Sequence, residues 1–202
     1  TLDGDLIEVL NTNTGYPIYD TLVENGTLWI ASQNGLILYN NGNFENIFNR
    51  DFVFNLTENN GKIYFGTRNS VYSLNKRKIT KIIDRKKIIY SITSIKNTLT
   101  IASNREVLIF DTIKDKTYIL NSENGSFNDY NTQSTLVIDD KAIIGSSDGL
   151  LMIDPLSLIS KLEDEPSYKI NFEELLLFNT PVETGTEKLK KPINFINEIS
   201  LK

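Results

Sequence analysis

The 202-residue chain contains no cysteine and no histidine, and only one methionine and one tryptophan. The two zeros remove whole classes of chemistry. Without a thiol or an imidazole there is no Ser-His or Cys-His nucleophilic pair and no imidazole base. Zinc sites of the Cys/His type, disulfides and a phospho-accepting histidine are excluded within these residues. No apolar run approaches the roughly 18 residues of a membrane span. The opening TLDGDLIEVL lacks the basic-then-apolar order of a signal peptide, so a signal for export would lie outside this chain. Basic residues are outnumbered, 21 against 26, and the net charge of −5 argues against nucleic acid as a partner of the whole domain. TLDGD is not followed by the other ligands of a calcium loop. No metal and no cofactor is expected.

What is present is asparagine beside glycine. Asn34-Gly35, Asn60-Gly61 and Asn124-Gly125 tolerate positive φ and mark tight turns. The composition is that of an all-β protein.

Internal self-similarity sets the architecture. Four segments share one pattern: Tyr19–Asn40, Phe54–Asn75, Tyr90–Asp111, and a fourth running from Ser134 to Asp154. Each contains an apolar strand, a polar turn, a strand ending in two small residues, and a third strand ending in Asn or Asp. The small pairs are Ala31-Ser32, Gly66-Thr67, Ala102-Ser103 and Gly145-Ser146, with first members 35, 36 and 43 residues apart. Nine residues after each first member stand Asn40, Asn75, Asp111 and Asp154. A constant interval inside the unit with variable linkers between units is the mark of a structural repeat. Fourth strands are expected at Phe44–Phe48, Ile79–Ile83 and Lys116–Leu120, and Leu156–Leu162 can supply one to the last unit. A period near 40 with four short strands predicts β-propeller blades, at about 18–48, 52–84, 89–120 and 133–162. Small residues fit where adjacent blades approach closely. Trp29 and Tyr64, two positions before their pairs, read as inter-blade core.

After the connector PLSLISKLEDEPS, the runs Ile170–Phe178 and Ile193–Leu201 read as strands of a second module. The expected division is therefore a propeller segment over 1–162, then connector and truncated sandwich over 163–202. Asp5–Leu10 reads as an outer strand of a preceding or closing blade. Four units are either an excerpt of a larger propeller or a four-bladed ring.

The unit from Glu24 to Asn40, ENGTLWIASQNGLILYN, resembles the regulator-propeller repeat found in sensor regions of bacterial hybrid two-component proteins. Trp29 keeps the habitual Trp of that repeat, replaced by Tyr64, Thr100 and Ile143 in later units. The Gly before the third strand survives at Gly35 and Gly149 only. INFEELLLFNTPVETG with INEISLK is similar to the start of the sandwich named for its three tyrosines (Y_Y_Y), which follows such propellers. The resemblance implies a non-catalytic sensor segment on the periplasmic or extracytoplasmic side of a membrane-bound protein. Such a segment binds a small molecule or an oligosaccharide and relays it, through a dimer, to a histidine kinase or another output domain elsewhere in the parent.

Candidate ligand-binding residues lie on the turns between second and third strands, which a repeat projects to one face: Gln33, Asn34, Arg68, Asn69, Asn104, Arg105 and Asp148, beside Ser147. These residues suit hydrogen bonding to a glycan or an anionic sugar. They equally suit solvated turns. The basic run Lys76–Lys87 fits an outer strand whose lysines block edge pairing better than a nucleic-acid or lipid contact. Asp139-Asp140 and Glu163, Asp164, Glu165 are not disposed as a facing glycosidase pair, and no catalytic residue is assigned. Two other classes stay open: a propeller lyase or hydrolase working without histidine, and a protein-binding scaffold.

Overall fold

The computed structural model of the chain describes residues 15–164, 174–186, 189 and 191–193. It divides into two compact units, Thr1–Glu163 and Asp164–Lys202. The expected strand at Asp5–Leu10 lies outside the described residues.

The first unit is a succession of antiparallel sheets, the blades of a β-propeller. β1 (Ile18–Glu24), β2 (Thr27–Ser32), β3 (Gly35–Asn40) and β4 (Asn43–Phe48) pair in chain order. So do β5 (Asn55–Asn59), β6 (Lys62–Gly66), β7 (Ser70–Asn75) and β8 (Lys78–Asp84). The third blade is β9 (Ile89–Ile95), β10 (Thr98–Ser103), β11 (Glu106–Asp111) and β12 (Lys116–Leu120). The fourth has three strands, β13 (Thr135–Ile138), β14 (Lys141–Ser146) and β15 (Gly149–Ile153). The inner strands β1, β5, β9 and β13 lie beside one another in that order.

Alternation along each strand sends one set of side chains forward to the next blade and the other set back. Trp29, Ala31 and Leu36 pack forward on Leu56, Ile63 and Phe65. Tyr64 and Val71 pack on Ile92, Leu99 and Leu108. Ala102, Val107 and Ile109 pack on Ile144 and Ile153. Trp29 and Tyr64 are thus inter-blade core, as their positions in the repeat indicate. Close approach explains the small pair: a Cβ on Gly66 would lie 2.9 Å from Ile92 Cδ1 of the following blade.

The forward face of the fourth blade is different. Leu36, Val71 and Val107 occupy one repeat position and are fully buried, whereas Leu150 at the same position is 74% exposed. Met152 and Leu136, equivalent to the packed Leu38 and Leu22, are exposed with it. Apolar clusters join the first blade to the second, the second to the third and the third to the fourth; none joins the fourth to the first among the described residues.

One expectation is corrected. Residues 156–162 are not the fourth strand of the last blade but part of α1, Pro155–Asp164. The reason is local. Asp154 caps the helix, its Oδ1 accepting the Ser157 N–H at 2.9 Å. Pro155 fills the first helical position, where a missing N–H costs nothing. Pro155 and Ile159 are buried and Leu158 and Leu162 partly so, a helical spacing that seals the apolar cluster of the third and fourth blades.

In the second unit the described residues include a short hairpin, Leu176–Leu177 with Thr180–Pro181, which numbers β16 and β17. Of the expected strand Ile170–Phe178, residues 174–178 are described and Leu176–Leu177 is strand; Ile193–Leu201 lies outside the described residues except for Ile193.

Candidate functional site

Every complete blade pairs its strands in chain order, so the turns between second and third strands share one end of the unit. The start of each inner strand is at that end too, because Ile18 pairs with Ser32, Asn55 with Gly66 and Ile89 with Ser103. The turns therefore surround the first residues of the inner strands.

At or within two residues of those starts stand Tyr19, Phe54, Tyr90 and Gln133, each twelve positions before the first member of its small pair. Tyr19 and Phe54 pack ring to ring at 4.8 Å between centroids, and Phe52 meets Phe54 at 6.2 Å. Gln133 replaces the aromatic in the fourth unit. Its side-chain amide donates to the carbonyls of Tyr19 and Phe54, and its backbone N–H donates to the Tyr90 carbonyl at 3.0 Å. One residue of the fourth unit thus ties the middle of this end to the other three.

The next position carries blade-to-blade hydrogen bonds in the first two units. Asp20 Oδ2 accepts the Leu56 N–H at 2.8 Å, and Asn55 Nδ2 donates to the Tyr90 carbonyl at 3.2 Å. Burial pushes the Asp20 carboxyl above its usual range, against the pull of the Leu56 and Thr21 N–H groups.

The candidate turn residues divide. Gln33 and Asn34 are half-buried and serve their own blade: the Gln33 N–H meets the Pro17 carbonyl, and the Asn34 carbonyl accepts from Asn46. Asp148 is exposed on the fourth blade, with its N–H on Ser146 Oγ at 3.1 Å. Arg68, Asn69, Asn104 and Arg105 are exposed. The structure brings these four together through the crossing between second and third blades. The Arg85 N–H donates to the Asn69 carbonyl at 2.8 Å, the Ile89 N–H to the Arg68 carbonyl at 2.9 Å, and the Asn104 N–H to the Ile88 carbonyl at 3.0 Å.

The basic run is split by the same crossing. Its first part lies at the outermost strand β8 and the turn before it, where Arg77 pairs with Glu45 and Lys81 with Asp84. Its last part leaves the sheet. Arg85 grips both oxygens of Glu106, at 2.8 and 3.0 Å from Nη2, and Lys87 Nζ meets Glu106 Oε2 at 2.7 Å. The Glu106 side chain is only 3% exposed. Glu106, Arg85, Lys87 and Gln133 are the site residues that sequence reasoning missed. Two of them break the repeat: Glu106 stands where units one and four have Gly35 and Gly149, and Gln133 where the other units have an aromatic.

Two of the acids singled out in the sequence, Asp140 and Glu163, are held in ion pairs elsewhere. Asp140 pairs with Lys96 at 2.5 Å, and Glu163 binds Lys114 Nζ and the Tyr118 hydroxyl. Among the described residues no group of three or more acids could hold a metal ion, and no helix is long and apolar enough to cross a membrane. A cavity of about 270 Å³, lined by none of the candidate turn residues, lies at the start of α1 between Leu120, Gly125, Met152 and Lys161.

No family model matches the chain, and no curated protein matches it by sequence. Its fold is similar to that of solved structures. The extracellular domain of the hybrid two-component system protein BT4673 from B. thetaiotaomicron superposes with a TM-score of 0.62 at 17% identity, over 73% of this chain and 21% of that one. A second structure of the BT4673 extracellular domain gives 0.60 at 18% identity, over 69% and 21%. The WD40 propeller domain of Doa1 gives 0.52 at 14% identity, over 67% and 49%. The chain thus spans about a fifth of the BT4673 domains it matches.

Proposed function

We propose that the chain is a non-catalytic, extracytoplasmic sensor segment of a bacterial two-component signalling protein, and that it binds an oligosaccharide at the turn end of its blades. The observation that carries this reading is the gathering, at one end of a rigid scaffold, of the ring cluster Tyr19, Phe52 and Phe54 with the polar turns at Arg68-Asn69 and Asn104-Arg105. Aromatic faces with a few fixed polar groups are what a sugar ring requires, apolar on its faces and hydroxylated at its rim. Loops on a rigid framework are the usual place for such a site. The likeness to the extracellular domain of a hybrid two-component system protein supports the setting.

Relay to an output domain requires the ligand to favour one arrangement of the parent over another. In this proposal the ligand shifts a dimer arrangement, and a kinase elsewhere in the parent responds. The test is a thermal-shift and calorimetric screen of the chain against neutral and acidic oligosaccharides, with product analysis of each mixture. Stabilisation without turnover is expected. Released product would replace the sensor with an enzyme, and silence toward every glycan would favour a protein-binding scaffold.

A further inference from the structure

The third unit departs from the repeat at one position. Four residues after the first member of each small pair stand Gly35, Ser70, Glu106 and Gly149. In the first blade that position demands glycine: Gly35 has φ +102°, and a Cβ there would lie 1.7 Å from the Phe48 carbonyl oxygen. In the third blade the positive φ moves one residue back, to Arg105 at 63°, and the freed position carries a carboxylate. A buried carboxylate needs cations and hydrogen bonds around it. Glu106 has both, from Arg85 and Lys87.

Its effect is to pin two cations of the crossing and neutralise one charge. Lys86 lies between them, and Arg68 and Arg105 stand on the flanking turns. All three are exposed and make no ion pair with any described residue. The nearest acid in sequence, Asp84, is occupied by Lys81 at 3.1 Å and accepts from Ser70. Backbone hydrogen bonds from Arg85, Ile89 and Asn104, and Ser103 Oγ on the Ile88 carbonyl at 2.9 Å, lock the three segments into one ledge. A chain of net charge −5 thus carries a rigid, concentrated positive patch at the end where its ring cluster lies.

We propose that this ledge, formed by Arg68, Arg85, Lys86, Lys87 and Arg105, binds an acidic oligosaccharide, a sugar chain bearing carboxylate or sulfate groups. The proposal rests on the glycan-sensor reading above and names its ligand class. Guanidinium forks match the planar and tetrahedral oxyanions of such sugars. Arg85 and Lys87, already held by Glu106, lose little freedom on binding. A short oligosaccharide meets only the ledge, whereas a nucleic-acid strand also meets the acidic remainder of the surface.

The test is calorimetric titration of the chain with a heparin-derived hexasaccharide, an oligogalacturonate, neutral maltohexaose and single-stranded oligothymidylate. At least one acidic sugar is expected to bind, with an affinity that falls as NaCl rises from about 50 to about 300 mM. The double variant R68A/R105A is expected to weaken that binding by about tenfold or more. K76A/K78A, which removes the same charge from the β7–β8 turn region at the opposite end of the blade, leaves it unchanged. Melting curves of both variants establish that each is folded. The proposal is overturned if neither acidic sugar binds, if the two double variants weaken binding equally, or if oligothymidylate binds more tightly than both acidic sugars. Binding of maltohexaose alone would overturn the acidic ledge and leave the glycan-sensor reading standing. Silence toward all four here and toward every sugar of the wider screen would remove both.

Discussion

Gln133 Nε2 donates to the Phe54 carbonyl oxygen at 2.8 Å, joining two residues 79 positions apart that hold the same place in their repeats. The other units place an aromatic there, Tyr19, Phe54 or Tyr90. The amide does something a ring cannot, since it offers two donors to two backbone carbonyls at once. With the Tyr19 carbonyl as its second acceptor, it connects the fourth blade to the first, although no apolar cluster joins them among the described residues.

Gln133→Ala is therefore expected to destabilise the first unit by about 1 kcal/mol. That is the net worth of two neutral hydrogen bonds at a solvent-accessible residue. Gln133→Glu is expected to do more damage at neutral pH, because a carboxylate would face two carbonyl oxygens with no proton to offer. Those oxygens raise the folded pKa of the new Glu above its unfolded value. Its loss of stability therefore sets in as the pH rises through that range, and most of it is recovered below about pH 4. Urea unfolding of both variants at pH 7 and pH 4 checks the sign. Equal stability of the Glu variant at both pH values would show that the amide is not engaged.

Much of the fold was legible because the repeat has a constant internal interval. Nine residues from Ala31 to Asn40 recur in every unit, and this placed the strands and put Trp29 and Tyr64 between blades. The second member of each small pair was only half understood. Ser32, Thr67, Ser103 and Ser146 are all hydroxylated, and size is not the whole reason. Ser32 Oγ accepts the Asn34 N–H at 3.1 Å and donates to the Gly35 carbonyl at 3.1 Å, closing its turn. α1 was missed because Asp154 fits two patterns at once, the last residue of a repeat and the cap of a helix. Pro155 and the spacing Pro155, Leu158, Ile159, Leu162 were the signal that separates them. The candidate turns were placed by repetition alone, but the cationic ledge was not. One Lys/Arg-rich run became two features only because Glu106, 21 residues beyond Arg85, folds back against its end.

The fourth blade supplies an internal control for the packing argument. Leu36 and Leu150 hold the same repeat position, one with no exposure and the other 74% exposed. Leu36→Ala is expected to cost about 2–5 kcal/mol, the range for a truncation that leaves a cavity. Leu150→Ala is expected to stay within about 0.5 kcal/mol, as for other surface changes. Chemical denaturation of the two variants side by side reads the difference. A large loss at Leu150 would mean that its face is covered in solution, and sedimentation of the wild-type chain would then show an associated species.

Besides its apolar contacts, α1 is tied to the third blade by one carboxylate. Glu163 accepts from Lys114 Nζ at 2.6 Å and from the Tyr118 hydroxyl at 2.5 Å, with Lys116 at 3.6 Å. The Lys114 hydrogen bond, then that of Tyr118, pulls its pKa from 4.5 down to about 2. The ordinary value belongs to the unfolded chain, so the folded state holds its proton less tightly. The stability Glu163 contributes is therefore present above about pH 4.5 and is lost as the pH falls toward about 2. Glu163→Gln keeps the shape and removes the charge. It is expected to be less stable than the parent at pH 7, to approach it near pH 2, and to flatten the acid limb of the stability curve. Thermal unfolding of the two proteins between pH 7 and pH 2 makes the comparison. Parallel curves across that interval would mean that the carboxylate does not anchor the helix, and that the apolar contacts of Ile159 hold it alone.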